Sequence, residues 1–149
     1  MKIIFAASAG GHLTELLMIA NKKVIGKNDK IILSEKTDRT KNLSGKVYFF
    51  EALGYNPVKY ILPLLKCMKI LKREKVKLIL TTGAEVGLVA IIAGRLLGIK
   101  SVFIEIAGNP KTPSLGGRMA YLFSNVFLVQ YPELAKKFGR KAKYVGGII

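Results

Sequence analysis

The sequence predicts an α/β protein with a single Rossmann-like domain, a mainly parallel sheet and helices on both faces. First, short continuously apolar segments alternate with segments of helical spacing along the chain. Second, most of the apolar segments lack polar alternation, which is typical of strands covered on both faces. Third, 149 residues fit one domain with a substantial core. We therefore expect right-handed βαβ crossovers within one domain, 1–149.

The first half of the chain opens with the strand KIIFAAS, residues 2–8. The segment LTELLMIANKK, from Leu13, then has apolar residues every three or four positions and is predicted to be helical. Two further strands follow, KIILSE (30–35) and KVYFFE (46–51), with a polar loop between them. Asn56-Pro57 predicts the start of the helix PVKYILPLLKCMKILK, and Pro63 lies early enough to kink that helix rather than abolish it.

The second half continues the alternation of strands and helices. It contains, in order, the strand KLILTTG (77–83), the helix GLVAIIAGRLLG, the strand SVFIEIAG, a helix near 114–123, the strand NVFLVQ, the helix PELAKKF and the strand KYVGG. No internal repeat is present, which argues against a solenoid.

The charge is strongly basic: 25 Lys and Arg against 9 Asp and Glu give a formal net charge of +16. This charge favours an anionic partner, which is a nucleic acid, an anionic membrane surface or a phosphorylated ligand. The cations are spread along the whole chain without a basic tail or a basic-aromatic strand motif, so a nucleic-acid partner is not expected. A solvated basic surface without a specific partner is the alternative.

The chain is expected to lie in a reducing cytoplasm and to begin directly with its fold. Its single cysteine, Cys67, has no partner for an internal disulfide and is expected to be a buried apolar residue of a helix. The longest apolar run, from Val86, contains Arg95 and is shorter than the ~20 residues of a spanning helix. No signal peptide is recognisable.

The first strand runs into S-A-G-G-H, residues 8–12, which predicts a strand-to-helix turn that binds an anion. Gly10 and Gly11 let backbone N–H groups approach a phosphate, and the following helix adds its positive dipole end. His12, the only histidine, is placed to contact a phosphate or to act as a base near neutral pH. The spacing matches neither the dinucleotide fingerprint nor the P-loop, so a plain tight turn and a capping histidine stay as alternatives.

The motif SAGGHLTELL resembles the first glycine loop of the membrane-anchor subunit of the two-part dolichyl-diphosphate N-acetylglucosamine transferase and of its prokaryotic polysaccharide-synthesis relatives. The second half is similar to this family nearly end to end. It has a Thr-Gly-Ala turn, Ile-Glu after a strand, Ser-Leu-x-Gly, Val-Gln-x-Pro-Glu-Leu and a closing Tyr-x-Gly strand. The Thr-Gly-Ala turn looks closer to the prokaryotic branch.

The resemblance implies the acceptor-side, amino-terminal half of a two-domain GT-B glycosyltransferase. A separate small subunit would supply the nucleotide-sugar-binding half, so this chain alone is expected to be inactive. The acceptor would be a lipid-diphosphate-linked sugar, and the transferred sugar N-acetylglucosamine or a related hexose. No cofactor and no metal are expected, because one His, one Cys and scattered acids offer no convincing ligand cluster.

An inverting transfer needs a base near the acceptor hydroxyl and a site for the acceptor diphosphate. His12 and Glu105 are the two candidate catalytic residues, and a buried structural carboxylate is the alternative for Glu105. The predicted acceptor and phosphate contacts are, in first rank, Gly10, Gly11 and Thr14, and in second rank Thr82, Gly83 and Glu85.

The basic helix after Asn56 is the candidate membrane surface. Lys59, Lys66, Lys69 and Arg73 recur at roughly helical spacing beside the apolar residues Ile61, Leu62, Leu65 and Met68. The protein is therefore expected to lie on the inner face of the cytoplasmic membrane, peripherally; a sheet-packing helix with a solvated basic edge is the alternative. A membrane scaffold without catalytic residues and a stand-alone nucleotide-binding protein are the alternative functions.

Overall fold

The computed structural model describes residues 1–21, 29–54, 56–108 and 110–147. Its strands are β1 (Ile3–Ala7), β2 (Lys30–Glu35), β3 (Lys46–Phe50), β4 (Leu78–Gly83), β5 (Lys100–Ile104), β6 (Val126–Val129) and β7 (Ala142–Tyr144). Its helices are α1 (Gly11–Ala20), α2 (Ile61–Arg73), α3 (Ala84–Leu96), α4 (Leu115–Phe123) and α5 (Pro132–Phe138). The strands form one sheet in the order β3-β2-β1-β4-β5-β6-β7, and every pairing between them is parallel. The predicted α/β domain with a parallel sheet is confirmed.

The order of the strands reverses between β1 and β4. From β1 the chain moves outward to β2 and β3, and then crosses back to place β4 on the other side of β1. Because parallel crossovers are right-handed, the two directions of travel put their helices on opposite faces of the sheet. Helix α1 therefore covers one face of the sheet, where Phe5 and Leu16 belong to the core cluster between them. The other described helices cover the opposite face.

The larger core lies between the sheet and helices α2 to α5. Ile4, Ile31 and Ile79 pack under α2 and α3, and a second cluster continues under α4 and α5. In that cluster the rings of Phe103 and Phe127 are stacked with their centroids 4.8 Å apart. Both rings are fully buried, and burial of a large apolar side chain stabilises a fold by about 1.5–3 kcal/mol.

Cys67 faces this core from α2, as expected. Burial raises the pKa of its thiol to about 12, because the thiolate would lose its hydration there. Cys67 is therefore a packing residue.

The predicted helix after Asn56 consists of two parts. Residues Pro57–Tyr60 form a 3₁₀ turn capped by Asn56, whose side-chain oxygen accepts a hydrogen bond from the Val58 N–H at 3.0 Å. Helix α2 then begins at Ile61. Pro63 is its third residue, where the N–H of any residue would have no intrahelical acceptor, so proline costs the helix no hydrogen bond.

Helices α1 and α3 both begin earlier than the apolar spacing predicted. Each follows a glycine with nearly the same backbone angles: φ 109° and ψ −147° at Gly10, and φ 110° and ψ −146° at Gly83. Before α1 the positive φ of Gly10 turns the chain from strand to helix, and before α3 Gly83 does so together with Ala84, whose φ is +57°. The predicted end of the first helix, at Lys22 and Lys23, lies outside the described residues.

At the amino ends of the strands, the carboxylate of Glu74 is the centre of a polar cluster. It accepts hydrogen bonds from Lys46 Nζ at 2.7 Å, Tyr48 Oη at 2.5 Å and Lys2 Nζ at 3.2 Å. The Lys46 hydrogen bond, followed by that of Tyr48, lowers the pKa of Glu74 to about 2. The cluster links the strands β1 and β3 to the end of α2.

We predict that Glu74→Gln destabilises the fold in a pH-dependent way. The ordinary pKa of a glutamate is 4.5 and the folded value is about 2, so its charge stabilises the fold above pH 4.5. This contribution is lost as the pH falls from 4.5 toward 2. The melting temperature of the variant should lie several degrees below wild type at pH 7, and the difference should shrink below pH 4.5 and close as the pH approaches 2. Asp38→Asn, at a side chain 97% exposed, is the control and should show no such convergence. A Glu74→Gln gap that stays constant with pH would contradict the role of its charge.

Candidate functional site

The carboxyl ends of β1 and β4 form the point where the strand order reverses. The connections leaving these two neighbouring strands diverge, and each leads directly into a helix, α1 or α3. Ligands of open parallel sheets bind in the crevice at such a reversal. The predicted residues Ser8 to Thr14 and Thr82 to Glu85 both lie at this point, so the structure brings the two predicted loops together.

The amino end of α1 presents backbone N–H groups without acceptors. Within the described residues, the N–H groups of Gly11, His12 and Leu13 have no hydrogen-bond partner. The first turn contains no acidic residue, and a Cβ atom at Gly10 or Gly11 would meet nothing within 4 Å. This helix end therefore has the open space and the partial positive charge that an anion requires.

Thr14, the third predicted phosphate contact, lies one turn further along α1. Its exposed side chain donates a hydrogen bond to the Gly10 carbonyl oxygen at 3.1 Å. The Thr14 hydroxyl hydrogen is therefore already used in a hydrogen bond to the backbone. An anion in front of α1 would accept hydrogen bonds from the backbone N–H groups before it reached Thr14.

His12 and Thr82 join the two loops through a reciprocal pair of hydrogen bonds. Nδ1 of His12 lies 2.7 Å from the Thr82 carbonyl oxygen, and the Thr82 hydroxyl donates to the His12 carbonyl oxygen at 2.6 Å. Because a carbonyl oxygen only accepts, Nδ1 carries the hydrogen, and Nε2 of the neutral ring is left as an acceptor. Thr82 is fully buried and His12 is half-buried, so the ring is fixed at the edge of the crevice.

Gly83 makes room for this arrangement. A Cβ atom at Gly83 would lie 3.0 Å from the Phe103 ring and 3.5 Å from His12 Cε1, and its φ of +110° is unfavourable for other residues. Gly83 therefore supports the imidazole ring sterically, whereas the sequence suggested a direct acceptor contact.

The amino end of α3 differs from that of α1, because the protein's own groups occupy it. The Ser8 hydroxyl accepts a hydrogen bond from the Val86 N–H at 3.1 Å and donates one to Glu85 Oε2 at 3.1 Å. Glu85, in the first turn, places a negative charge at the positive end of the helix. An anionic ligand is thus favoured at α1 and disfavoured at α3.

Glu105 lies at the end of β5, as predicted, but it is fully buried. Its carboxylate accepts from the Ser114 hydroxyl, at 3.1 and 3.3 Å, and Ser114 in turn accepts from the Gly117 N–H at 2.8 Å as the cap of α4. A Cβ atom at Gly117 would lie 2.1 Å from Glu105 Oε2, so the carboxylate fits tightly under the helix. This is the geometry of the structural alternative, a buried carboxylate that positions a helix.

Glu15 is a site residue that the sequence reasoning did not identify. Its carboxylate accepts from the Ala107 N–H at 3.1 and 3.2 Å and from Gln130 Nε2 at 3.0 Å. Gln130 also donates to the Glu105 carbonyl oxygen at 3.1 Å. The Tyr131 hydroxyl donates to the Ala107 carbonyl oxygen at 2.9 Å. Glu15 therefore holds the loop after β5 against α1. In the sequence, the one indication of this role is that Glu15 follows His12 by three residues and so lies on the same face of the helix.

The four cations of the predicted membrane surface divide into two pairs. Lys66 donates to the Phe49 carbonyl oxygen at 2.7 Å, and Arg73 donates to the Tyr48 hydroxyl at 2.7 Å, so both contact β3. Lys59 and Lys69 are exposed and have no such contact within the described residues. Ile61, Leu62 and Leu65 are exposed beside them, whereas Met68 packs against the core.

Two further features bear on the site's chemistry. In the described ranges, no three His, Cys, Asp or Glu side chains are grouped as metal ligands would be. None of the helices in these ranges has the length and apolar character needed to cross a bilayer.

The domain has the fold of the GT-B glycosyltransferases. MurG of Acinetobacter baumannii superposes with a TM-score of 0.75 at 18% identity, over 95% of this chain and 44% of MurG. The family described as Oligosaccharide biosynthesis protein Alg14 like matches residues 48–148, and the chain belongs to this family.

Two curated relatives agree with this assignment. The UDP-N-acetylglucosamine transferase subunit ALG14 of Eremothecium gossypii is 38% identical over 48 residues, covering 32% of this chain and 21% of that protein. The UDP-N-acetylglucosamine--N-acetylmuramyl-(pentapeptide) pyrophosphoryl-undecaprenol N-acetylglucosamine transferase of Clostridium novyi is 28% identical over 148 residues, covering 90% of this chain and 41% of that enzyme. The chain thus spans about two fifths or less of the curated relatives it matches.

We predict that Gly117→Ala destabilises the protein, while the neighbouring Gly116→Ala does not. A methyl group at residue 117 would collide with the Glu105 carboxylate, whereas one at residue 116 meets nothing within 4 Å. Overpacking of this kind costs roughly 1–3 kcal/mol, and Gly→Ala at an open helical position stabilises by roughly 0.4–1 kcal/mol. Denaturant unfolding measures both. Equal stability of the two variants would show that Glu105 is not held under α4.

Proposed function

We propose that this chain is the acceptor-binding, membrane-associating subunit of a two-component GT-B glycosyltransferase. The reaction transfers a sugar, N-acetylglucosamine or a related hexose, from a nucleotide-sugar to a lipid-diphosphate-linked sugar in glycan or polysaccharide synthesis. Family membership and the names of both curated relatives support this class of reaction. The observation that carries the proposal is the open amino end of α1 beside a histidine with an oriented ring.

The acceptor diphosphate binds in front of α1. The N–H groups of Gly11, His12 and Leu13 donate to its oxygens, and the helix dipole favours its charge. The absence of a side chain at Gly10 and Gly11 permits close approach. Since Glu85 already occupies the neighbouring helix end, the diphosphate has one preferred position in the crevice.

His12 is the general base of the transfer. Thr82 accepts the hydrogen of Nδ1, so Nε2 takes the proton of the acceptor hydroxyl as its oxygen attacks the anomeric carbon. The bond from that carbon to the nucleoside diphosphate breaks, and the leaving diphosphate takes up the electron pair. Glu105 is the weaker candidate, because its buried carboxylate serves the cap of α4.

A second subunit supplies the site for the nucleotide-sugar donor. The name of the Eremothecium gossypii relative, a transferase subunit, supports this division, and this chain matches 44% of MurG and 41% of the Clostridium novyi enzyme. We assign this chain to the amino-terminal, acceptor-side half and place the stabilisation of the leaving nucleotide on a small partner. Alone, the chain binds acceptor but does not transfer sugar.

Helix α2 brings the subunit to the inner face of the membrane. Leu62 is 77% exposed and Ile61 and Leu65 are each 57% exposed, and these residues lie beside the exposed cations Lys59 and Lys69. An apolar patch with flanking cations is typical of a helix that lies in the membrane interface. Each cation near an anionic leaflet contributes about 1 kcal/mol.

We predict that Gly11→Val abolishes acceptor binding without unfolding the protein. The valine side chain has open space in the free protein but would fill the place of the phosphate in front of α1. Calorimetric titration with a short-chain, water-soluble prenyl-diphosphate-sugar should show at least a tenfold weaker affinity. Gly116→Val, at an equally open position of another helix, is the matched control. Unchanged affinity of folded Gly11→Val would place the diphosphate elsewhere, and absence of binding by wild type would overturn the proposed function.

We also predict salt-sensitive binding to anionic vesicles through Lys59 and Lys69. Charge reversal of both to Glu should weaken co-sedimentation at low salt, and this loss should shrink as salt screens the charges over about 8 Å at physiological ionic strength. Lys136→Glu with Lys143→Glu makes the same change in net charge away from α2 and is the control. Equal loss in both double variants would show that binding depends on overall charge and not on α2.

A further inference from the structure

Exposed apolar side chains are concentrated on one face of the molecule. In the described part of the chain thirteen large hydrophobic residues are exposed, and eight of them lie on the 3₁₀ turn and helices α2, α3 and α4. These eight are Val58, Ile61, Leu62, Leu65, Leu96, Leu115, Met119 and Leu122. Helix α1, on the opposite face of the sheet, exposes only Met18 among the large hydrophobic residues of the described ranges.

Helix α4 contributes an apolar stripe that the proposed function does not use. Leu115, Met119 and Leu122 lie at positions i, i+4 and i+7, and Leu115 and Leu122 are 79% and 68% exposed. The opposite side of α4 packs on the sheet through the buried residues Gly117 and Ala120. The stripe therefore faces outward, and leaving it in water is unfavourable.

The charges of this helical layer identify the partner that fits it. Helices α2 and α4 contain no acidic residue. The one acidic residue of α3, Glu85, accepts a hydrogen bond from the Ser8 hydroxyl. The same three helices carry six cations, Lys66, Lys69, Lys72, Arg73, Arg95 and Arg118. An apolar surface with cations and almost no acids complements an anionic lipid bilayer, whose headgroups attract the cations while its interior takes the leucines.

The direction of the helices adds an orientation. Helices α2 and α4 follow strands β3 and β5, so their amino ends lie at the carboxyl edge of the sheet, as does the crevice. Leu62 and Leu115 are near these amino ends, and α3, whose amino end borders the crevice, packs between α2 and α4. Both apolar patches thus begin near the edge of the sheet at which the crevice lies.

We infer that Leu115, Met119 and Leu122 of α4 form a second membrane contact, which acts together with α2 and fixes the orientation of the domain on an anionic bilayer. This inference rests on the proposed membrane association and extends it. One contact would attach the domain but leave it free to tilt. Two contacts on either side of α3 restrict the tilt and keep α1, on the opposite face of the sheet, away from the lipid.

Single tryptophans provide the test, because the chain contains none. Leu62→Trp, Leu115→Trp, Leu122→Trp and the control Met18→Trp replace exposed residues on α2, α4 and α1. With vesicles of phosphatidylcholine and phosphatidylglycerol, we expect blue-shifted emission and quenching by brominated lipid at residues 62, 115 and 122. The tryptophan at residue 18 should remain water-exposed.

The outcomes separate this inference from the proposed function. A response at residue 62 without one at 115 and 122 would overturn the second contact and leave docking by α2 intact. No response at any position would overturn membrane association itself. Equal responses at all four, including 18, would show unoriented adsorption and also overturn the inference. As a measurement without a fluorophore, Leu122→Gln should weaken vesicle partitioning roughly tenfold, the effect of removing one buried leucine from the interface.

Discussion

The two hydrogen bonds between His12 and Thr82 are the constraint on which the site depends. They join residues 70 positions apart, at 2.7 and 2.6 Å, across the point where the strand order reverses. One bond fixes the start of α1 to the end of β4, and the other fixes the tautomer of the ring. A single backbone carbonyl therefore determines which imidazole nitrogen is left to act on a ligand. Without this pair the glycines of the first loop would still form a turn, but the histidine would have no defined direction.

The two helix ends at the crevice differ, although the glycines that precede them have nearly the same backbone angles. Gly10 and Gly83 adopt nearly identical backbone angles, yet Gly11 follows the first, and Ala84, at φ +57°, follows the second. A non-glycine residue in the left-handed region costs roughly 1–2 kcal/mol. That cost is offset by two hydrogen bonds in the first turn of α3. The Val86 N–H donates to the Ser8 hydroxyl, and the hydroxyl donates to Glu85. One helix end is thereby closed by the protein and the other stays open to an anion.

The sequence predicted the strands well, because buried parallel strands are uniformly apolar and polar turns separate them. It placed the starts of α1 and α3 two to three residues late, since the turning glycines Gly10 and Gly83 look like loop residues until their φ is known. The glycine turn before α1 was predictable because its residues are neighbours in the chain, and its binding of phosphate stays a prediction. The role of Glu15 was not, because its partners Ala107 and Gln130 lie 92 and 115 residues away.

Acidic residues near the crevice bear on how the anionic ligand proposed above would be oriented. Glu15, Glu85 and Glu105, three of the nine acids, lie at the carboxyl edge of the sheet, and each accepts hydrogen bonds from neighbouring groups. Under the proposed function they would disfavour phosphate beside them, whereas the N–H groups at the amino end of α1 would donate to it. Carboxylates readily accept hydrogen bonds from hydroxyl groups. The field across the crevice therefore favours a ligand that carries its diphosphate at α1 and its sugar hydroxyls toward β5. A lipid-linked sugar, the acceptor proposed above, combines such a diphosphate and such hydroxyl groups with an apolar tail, for which the exposed leucines of α2 and α4 are the matching surface.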